Sequence, residues 1–162
     1  MLSRETQELL SHSVQIAREH YHEFVTAEHL LLALVDYSEA QSLFKQKGLD
    51  LTLLRDDLED HLTHSIESID PKKYAQTTPD VTMGFQRIVQ RSVLHVQNAG
   101  KETVHPLDLL VALFEETDSY ALYFLEKQGL ARLDVTQYIS HSRRLHSKAL
   151  SVSERDDKFD PE

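Results

Sequence analysis

An internal repeat constrains this chain more than any other feature of its sequence. An offset of 79 residues lays Ala33-Leu34 on Ala112-Leu113, Leu30-Leu31 on Leu109-Leu110, Val14 on Val93, Leu10 on Val89 and Val25-Thr26 on Val104-His105. After a drift of two further residues, Gly48 falls opposite Gly129, each closing a Lys/Gln-rich segment, KQKGL and EKQGL. Core positions that recur in order, with stops at matching places, indicate two copies of one supersecondary unit. Leu-rich segments match one another by chance, so the paired Gly-Leu stops carry the argument.

The spacing within each copy is helical. Only 4 Gly and 4 Pro occur in 162 residues, and long segments are free of both, which points to an all-α chain. Leu9, Leu10, Val14 and Ala17 recur at helical spacing behind Ser3, a suitable N-cap, predicting a helix over residues 3–21. Thr26 caps AEHLLLALVD, whose Leu30, Leu31, Leu34 and Val35 leave almost no polar face. That helix therefore belongs at the centre of the core. A third helix runs from Ser38 to the Lys47-Gly48 stop, and Asp50 caps a fourth, LTLLRDDLEDHLTH. The segment IESIDPKKYAQTTPD has two Pro and little periodicity and reads as a loop. Beyond Ile139-Ser140 the period fades, so a short helical extension through Leu150 and then a disordered linker or tail are expected.

Composition removes several classes of function. The length suits one domain, which buries roughly 70% of its unfolded surface without needing a staple. The absence of Cys excludes a thiolate nucleophile, a disulfide framework and Cys-based metal sites, and fits a reducing compartment. With 27 acidic against 17 basic side chains, a general phosphate-binding surface for nucleic acid is not expected. No apolar run is long enough to span a bilayer, and MLSRETQELL lacks the apolar segment of a signal peptide, so no membrane partner and a cytoplasmic location are expected.

Catalytic motifs are missing as well. Gly100-Lys101 is followed by Glu102 rather than Ser or Thr, which is not a phosphate-cradling loop, and no G-x-S-x-G elbow occurs. His20, His22, His61 and His64 could be assembled into a metal-dependent hydrolase, yet His20 and His22 are two apart and point to different helix faces. Exposed polar histidines near helix ends are the preferred reading, and no metal is expected. Glu19, Glu23, Glu28 and Asp36 read as solvated carboxylates around the first helix junction. Arg87 and Arg91 stand four apart on one helix face beside Gln86 and Gln90, where a carboxylate-bearing partner could dock with bidentate geometry.

The runs AREHYHEFVTAEHLLLAL (17–34), TMGFQRIVQRSVLHVQNAG (82–100) and ARLDVTQYISH (131–141) resemble the N-terminal Clp repeat domain of ClpA-type chaperones, the ATP-driven unfoldases that feed the ClpP protease. The resemblance covers about residues 1–142. It implies an eight-helix pseudo-dimer of two four-helix repeats, about 1–65 and 82–142, joined by a loop at 66–81 and followed by a linker at 143–162 toward ATPase modules that this chain lacks. ATP and Mg would belong to those modules, so no cofactor is expected here. The implied function is non-catalytic docking: binding the adaptor ClpS, and some substrate polypeptides, for delivery through the parent hexamer to ClpP. The family's adaptor-contacting positions fall on Glu23, Glu28, Thr82, Arg87, Arg91 and Arg132. An alternative is direct sensing of unfolded or apolar segments without an adaptor. Where zinc is associated with the family, an acidic residue on the fourth helix complements the His20 and His22 region; Thr63 stands at that place here, with His64 beside it.

Overall fold

Helix starts are set by side chains of the types the sequence offers. Ser3 Oγ accepts the Thr6 N–H at 3.1 Å, Asp50 Oδ1 that of Leu53 at 3.0 Å and Thr82 Oγ1 that of Phe85 at 3.2 Å. Each satisfies a donor that the first turn leaves orphaned. Thr26 goes further, because His29 replaces the usual Glu of a capping box and accepts the Thr26 N–H on Nδ1 at 2.9 Å.

A computed structural model describes residues 1–75 and 78–158, the last 13 of these (146–158) as backbone only. The first repeat holds α1 (Arg4–Glu19), β1 (Phe24–Val25), α2 (Ala27–Val35), α3 (Ser38–Gln46) and α4 (Leu51–His64). Between the repeats lie α5 (Pro71–Tyr74) and β2 (Asp80–Val81); the second repeat holds α6 (Met83–Asn98), α7 (Pro106–Leu113), α8 (Tyr120–Lys127) and α9 (Arg132–Lys158). The all-α architecture agrees with the periodicity, and α2 is central: all nine of its residues are buried and it packs on α1, α3, α4, α6, α7 and α8. Its counterpart α7 is buried at seven of eight positions. Two expectations need correction. The loop at 66–81 contains a helical turn and a strand, and α9 continues past Leu150 to Lys158.

The duplication is visible in the backbone hydrogen bonds between the halves. Thr82 N–H donates to the Val25 carbonyl and Ser3 N–H to the Val104 carbonyl, both at 3.0 Å. Asp80 N–H donates to the Glu23 carbonyl at 3.1 Å, and the Met1 amine to that of Glu102, also at 3.1 Å. Each pair maps onto the other under the offset of 79 with the halves exchanged. Likewise the parallel β1–β2 pairing, Val25 on Val81, is mirrored by the parallel bridge of Leu2 on Val104. The segment before each repeat's first helix thus pairs with the segment before the other repeat's second helix.

The two stops share a mechanism. Gly48 (φ 79°) and Gly129 (φ 85°) adopt the left-handed conformation, after which Leu49 N–H bonds the Phe44 carbonyl and Leu130 N–H that of Leu125. A Cβ at either would meet nothing within 4 Å, so the penalty of a side chain is purely conformational. Gly129→Ala is expected to cost about 1 kcal/mol, read as a lowered urea midpoint at unchanged slope; an unchanged midpoint would contradict the left-handed stop. No helix among the described residues is long and apolar enough to cross a membrane.

Candidate docking face

The start of α6 carries three of the expected docking side chains, Thr82, Arg87 and Arg91. Thr82 is half-buried, its hydroxyl capping the helix while its N–H joins Val25, so this end of α6 is fixed to β1. One turn on, Arg87 forks onto Glu116, with Nε to Oε2 at 3.1 Å and Nη2 to Oε1 at 2.8 Å. Arg91 Nη1 meets the same carboxylate and its Nε reaches Glu115 Oε2 at 3.3 Å. His95, the next residue in that row, places Nε2 3.2 Å from Glu115 Oε1. Hydrogen bonds from Arg87, and then Arg91, hold the Glu116 carboxyl below its ordinary range despite its burial. A Cβ at Gly84 would stand 3.1 Å from Glu116 Oε1, so a side chain there would make the carboxylate shift by a few tenths of an ångström. The two Arg therefore share one face as their spacing predicts, pre-organised by an acidic residue from the end of α7.

Beside them are groups that spacing did not single out. Glu23 is exposed next to β1, Phe24 is 46% exposed and Met83 at the start of α6 is 72% exposed. Glu23, Phe24, Thr82, Met83, Arg87 and Arg91 thus surround the β1–β2 junction and the first half of α6, apolar residues among charged ones. Phe24 and Met83 are among the large apolar side chains that the fold leaves exposed. Sequence could have flagged them, as Phe24 precedes the Val25-Thr26 cap and Met83 follows the Thr82 cap.

Two expected positions lie elsewhere. Glu28 is only 8% exposed; its Oε2 accepts the Ala121 N–H at 3.3 Å and its Oε1 stands 3.4 Å from His61 Nε2. Burial raises its carboxyl above the ordinary range, with His61 opposing. From the first turn of a wholly buried helix it joins α2 to α4 and α8. Arg132 is exposed at the start of α9 and lines a hollow with Ala99 and Lys101 at the far end of α6, about 24 Å of helix from Thr82.

The histidines also depart from the surface reading. His22, His29 and His61 are buried, whereas His64 is exposed and paired with Asp60 at 2.9 Å. His20 and His22 stack with centroids 5.2 Å apart, and His22 Nδ1 lies 2.9 Å from His29 Nε2. Because His29 Nδ1 accepts from Thr26, its proton sits on Nε2 and is donated to His22. Among the described residues no three His, Asp or Glu side chains are grouped to hold a metal ion, and Thr63 lies against the α4 acids Asp56, Asp57, Glu59 and Asp60. Asp36 does not join Glu19 and Glu23: it ends α2 in contact with Arg55 and, at 3.3 Å, His12.

Residues 1–128 match the family described as the Clp repeat (R) N-terminal domain. This chain belongs to that family. A ClpA homologue of Fuscovulum blasticum is 35% identical over 130 residues, covering 80% of this chain and 16% of that protein, so the chain spans about a sixth of its relative's length. The Hsp104 N-terminal domain from Candida albicans superposes with a TM-score of 0.74 at 13% identity, covering 88% of this chain and 91% of that one. A ClpV N-domain solved in complex with a VipB peptide gives a TM-score of 0.66 at 18% identity, covering 86% and 84%. At those identities the structures show the shared Clp N-domain fold, and the α1–α4 and α6–α9 repeats described above are its two halves.

Proposed function

We propose that this Clp N-domain is a non-catalytic docking module of a ClpA-type unfoldase, binding the adaptor ClpS and helping to deliver substrates for ATP-dependent degradation by ClpP. The observation that carries the reading is the Arg87–Arg91 row, held ready by Glu116 beside exposed Phe24 and Met83. A partner carboxylate arriving there meets guanidinium groups whose rotamers are already fixed, which lowers the ordering cost of docking. Glu23 offers a complementary acceptor at the same edge. The peptide complex of the related ClpV domain supports a polypeptide as partner, and recruitment of apolar segments without an adaptor would use the Phe24 and Met83 side of this face.

Calorimetric titration of ClpS into the purified chain tests the reading. Saturable binding is expected, with Arg87→Glu weakening it at least about tenfold at unchanged helicity. Absence of binding up to about 50 µM ClpS would sink the adaptor reading. A denatured reference protein that displaces ClpS would assign the face to both kinds of partner.

A further inference from the structure

The second repeat is open at a place where the first is filled. The opening lies between the end of α6, α7 and α9 and is a surface hollow of about 190 Å³. Val96, Ala99, Val111 and Ile139 line its apolar floor, and Lys101, Arg132 and Arg143 its rim. Under the offset of 79, Ala99 and Lys101 correspond to His20 and His22; under the offset of 81 fixed by the Gly stops, Arg143 corresponds to Leu62. In the first repeat, His22 is wholly buried there, stacked on His20, bonded to His29 and facing the Leu62 carbonyl. Tyr74 closes that place by donating its hydroxyl to the His22 carbonyl at 2.8 Å. The second repeat has a methyl for one imidazole and an exposed Lys101 for the other, so among the described residues no side chain plays the part of His22.

We infer that this hollow receives the C-terminal residue of a partner polypeptide, with its apolar side chain on the floor and its α-carboxylate between Lys101 and Arg132. The filled repeat shows that one side chain occupies such a place, and the hollow holds about 190 Å³ before it opens toward Leu107 and Ser142. Charge narrows the choice of occupant. Three cations converge in a chain of net charge −10, and among the described residues neither Lys101 nor Arg132 has an ion-pair partner. Arg143 stands 3.8 Å from Asp108 Oδ1, and Asp108 is committed to the His105 N–H at 2.8 Å. His95 adds to the lining and has a buried Nδ1 without a partner. A chain terminus presents an apolar side chain and a carboxylate on the same carbon, which suits an apolar floor beside two cations. An internal Asp or Glu bears its carboxylate on a side chain with no apolar group beside it, so it cannot cover the apolar residues and meet the cations together.

Fluorescence anisotropy with a labelled Gly-Ser-Gly-Ala-Leu peptide tests this on the full chain. The free acid is expected to bind at least about tenfold more tightly than the same peptide ending in an amide, and than one with Asp placed internally before an amidated end. Lys101→Glu/Arg132→Glu should abolish the difference, and so should Ala99→Phe, which fills the floor from an exposed position; circular dichroism checks that both remain folded. Arg87→Glu should leave peptide binding unchanged, so this inference and the adaptor reading can fail separately. Equal binding of acid and amide, equal binding of the internal Asp peptide, or binding indifferent to Ala99→Phe would each overturn it.

Discussion

Leu31→Ala is expected to lower unfolding stability by about 3 kcal/mol, with Leu110→Ala close behind. Both side chains are fully buried, at matching positions of α2 and α7, in the middle of a core to which both repeats contribute. Removing three methylene-sized groups loses their transfer free energy and leaves a cavity that neighbours on several helices cannot all close. For a domain whose whole stability is about 5–15 kcal/mol, that is a large fraction. The control is Leu94→Ala, at a side chain 55% exposed on α6, which should change stability by under about 0.5 kcal/mol. Urea unfolding followed by circular dichroism measures all three. If Leu31→Ala cost no more than Leu94→Ala, the central place given to α2 would be wrong.

That placement was legible because local and global signals agree in α2. A nine-residue helix with no polar face can only be surrounded, and the four caps Ser3, Thr26, Asp50 and Thr82 each bind the N–H that their residue type leads one to expect. Glu28 shares that burial, contrary to its reading as a solvated carboxylate, because it sits in the first turn of the same helix. Other features were not legible for a physical reason. The carboxylate that organises Arg87 and Arg91 comes from Glu116, 29 and 25 residues away, and no spacing rule reaches from one helix face to the end of another. The β1–β2 pairing joins Phe24 to Asp80 through two-residue strands, too short to show alternation. The surface reading of His22 and His61 failed because their burial depends on tertiary neighbours, His29 for one and Glu28 for the other, that local spacing does not reveal.

Acid is expected to weaken this domain through His29 well before its surface carboxylates are protonated. His29 is fully buried and its pKa is lowered from 6.5 to about 3, first by burial and then by the neighbouring His22, His20 and His61. Its Nδ1 lone pair also carries the Thr26 cap, so protonation would break the box that starts α2. The unfolded chain binds this proton below about pH 6.5 and the folded one does not, so stability is complete above that pH and falls toward pH 3. At 1.36 kcal/mol per pH unit, about 2–3 kcal/mol is lost by pH 4.5. His22, lowered by its own burial and by His20, adds to the loss. Glu28 acts in the opposite sense, because its raised carboxyl takes up a proton in the folded state before the unfolded chain does. Asp36 and Glu116, both lowered, weaken the fold only as the pH falls through their ordinary values of 3.8 and 4.5, at the acid end of this range. His29→Gln isolates the effect: a Gln amide can accept the Thr26 N–H and donate toward His22, preserving the box without a titrating group. Urea unfolding of the two proteins between pH 7 and 4.5 should give curves that separate by about 2–3 kcal/mol at the acid end, the variant being the flatter. Parallel curves would mean that the folded domain accommodates a charged His29, and the hydrogen-bond chain from Thr26 through His29 to His22 would have to be abandoned.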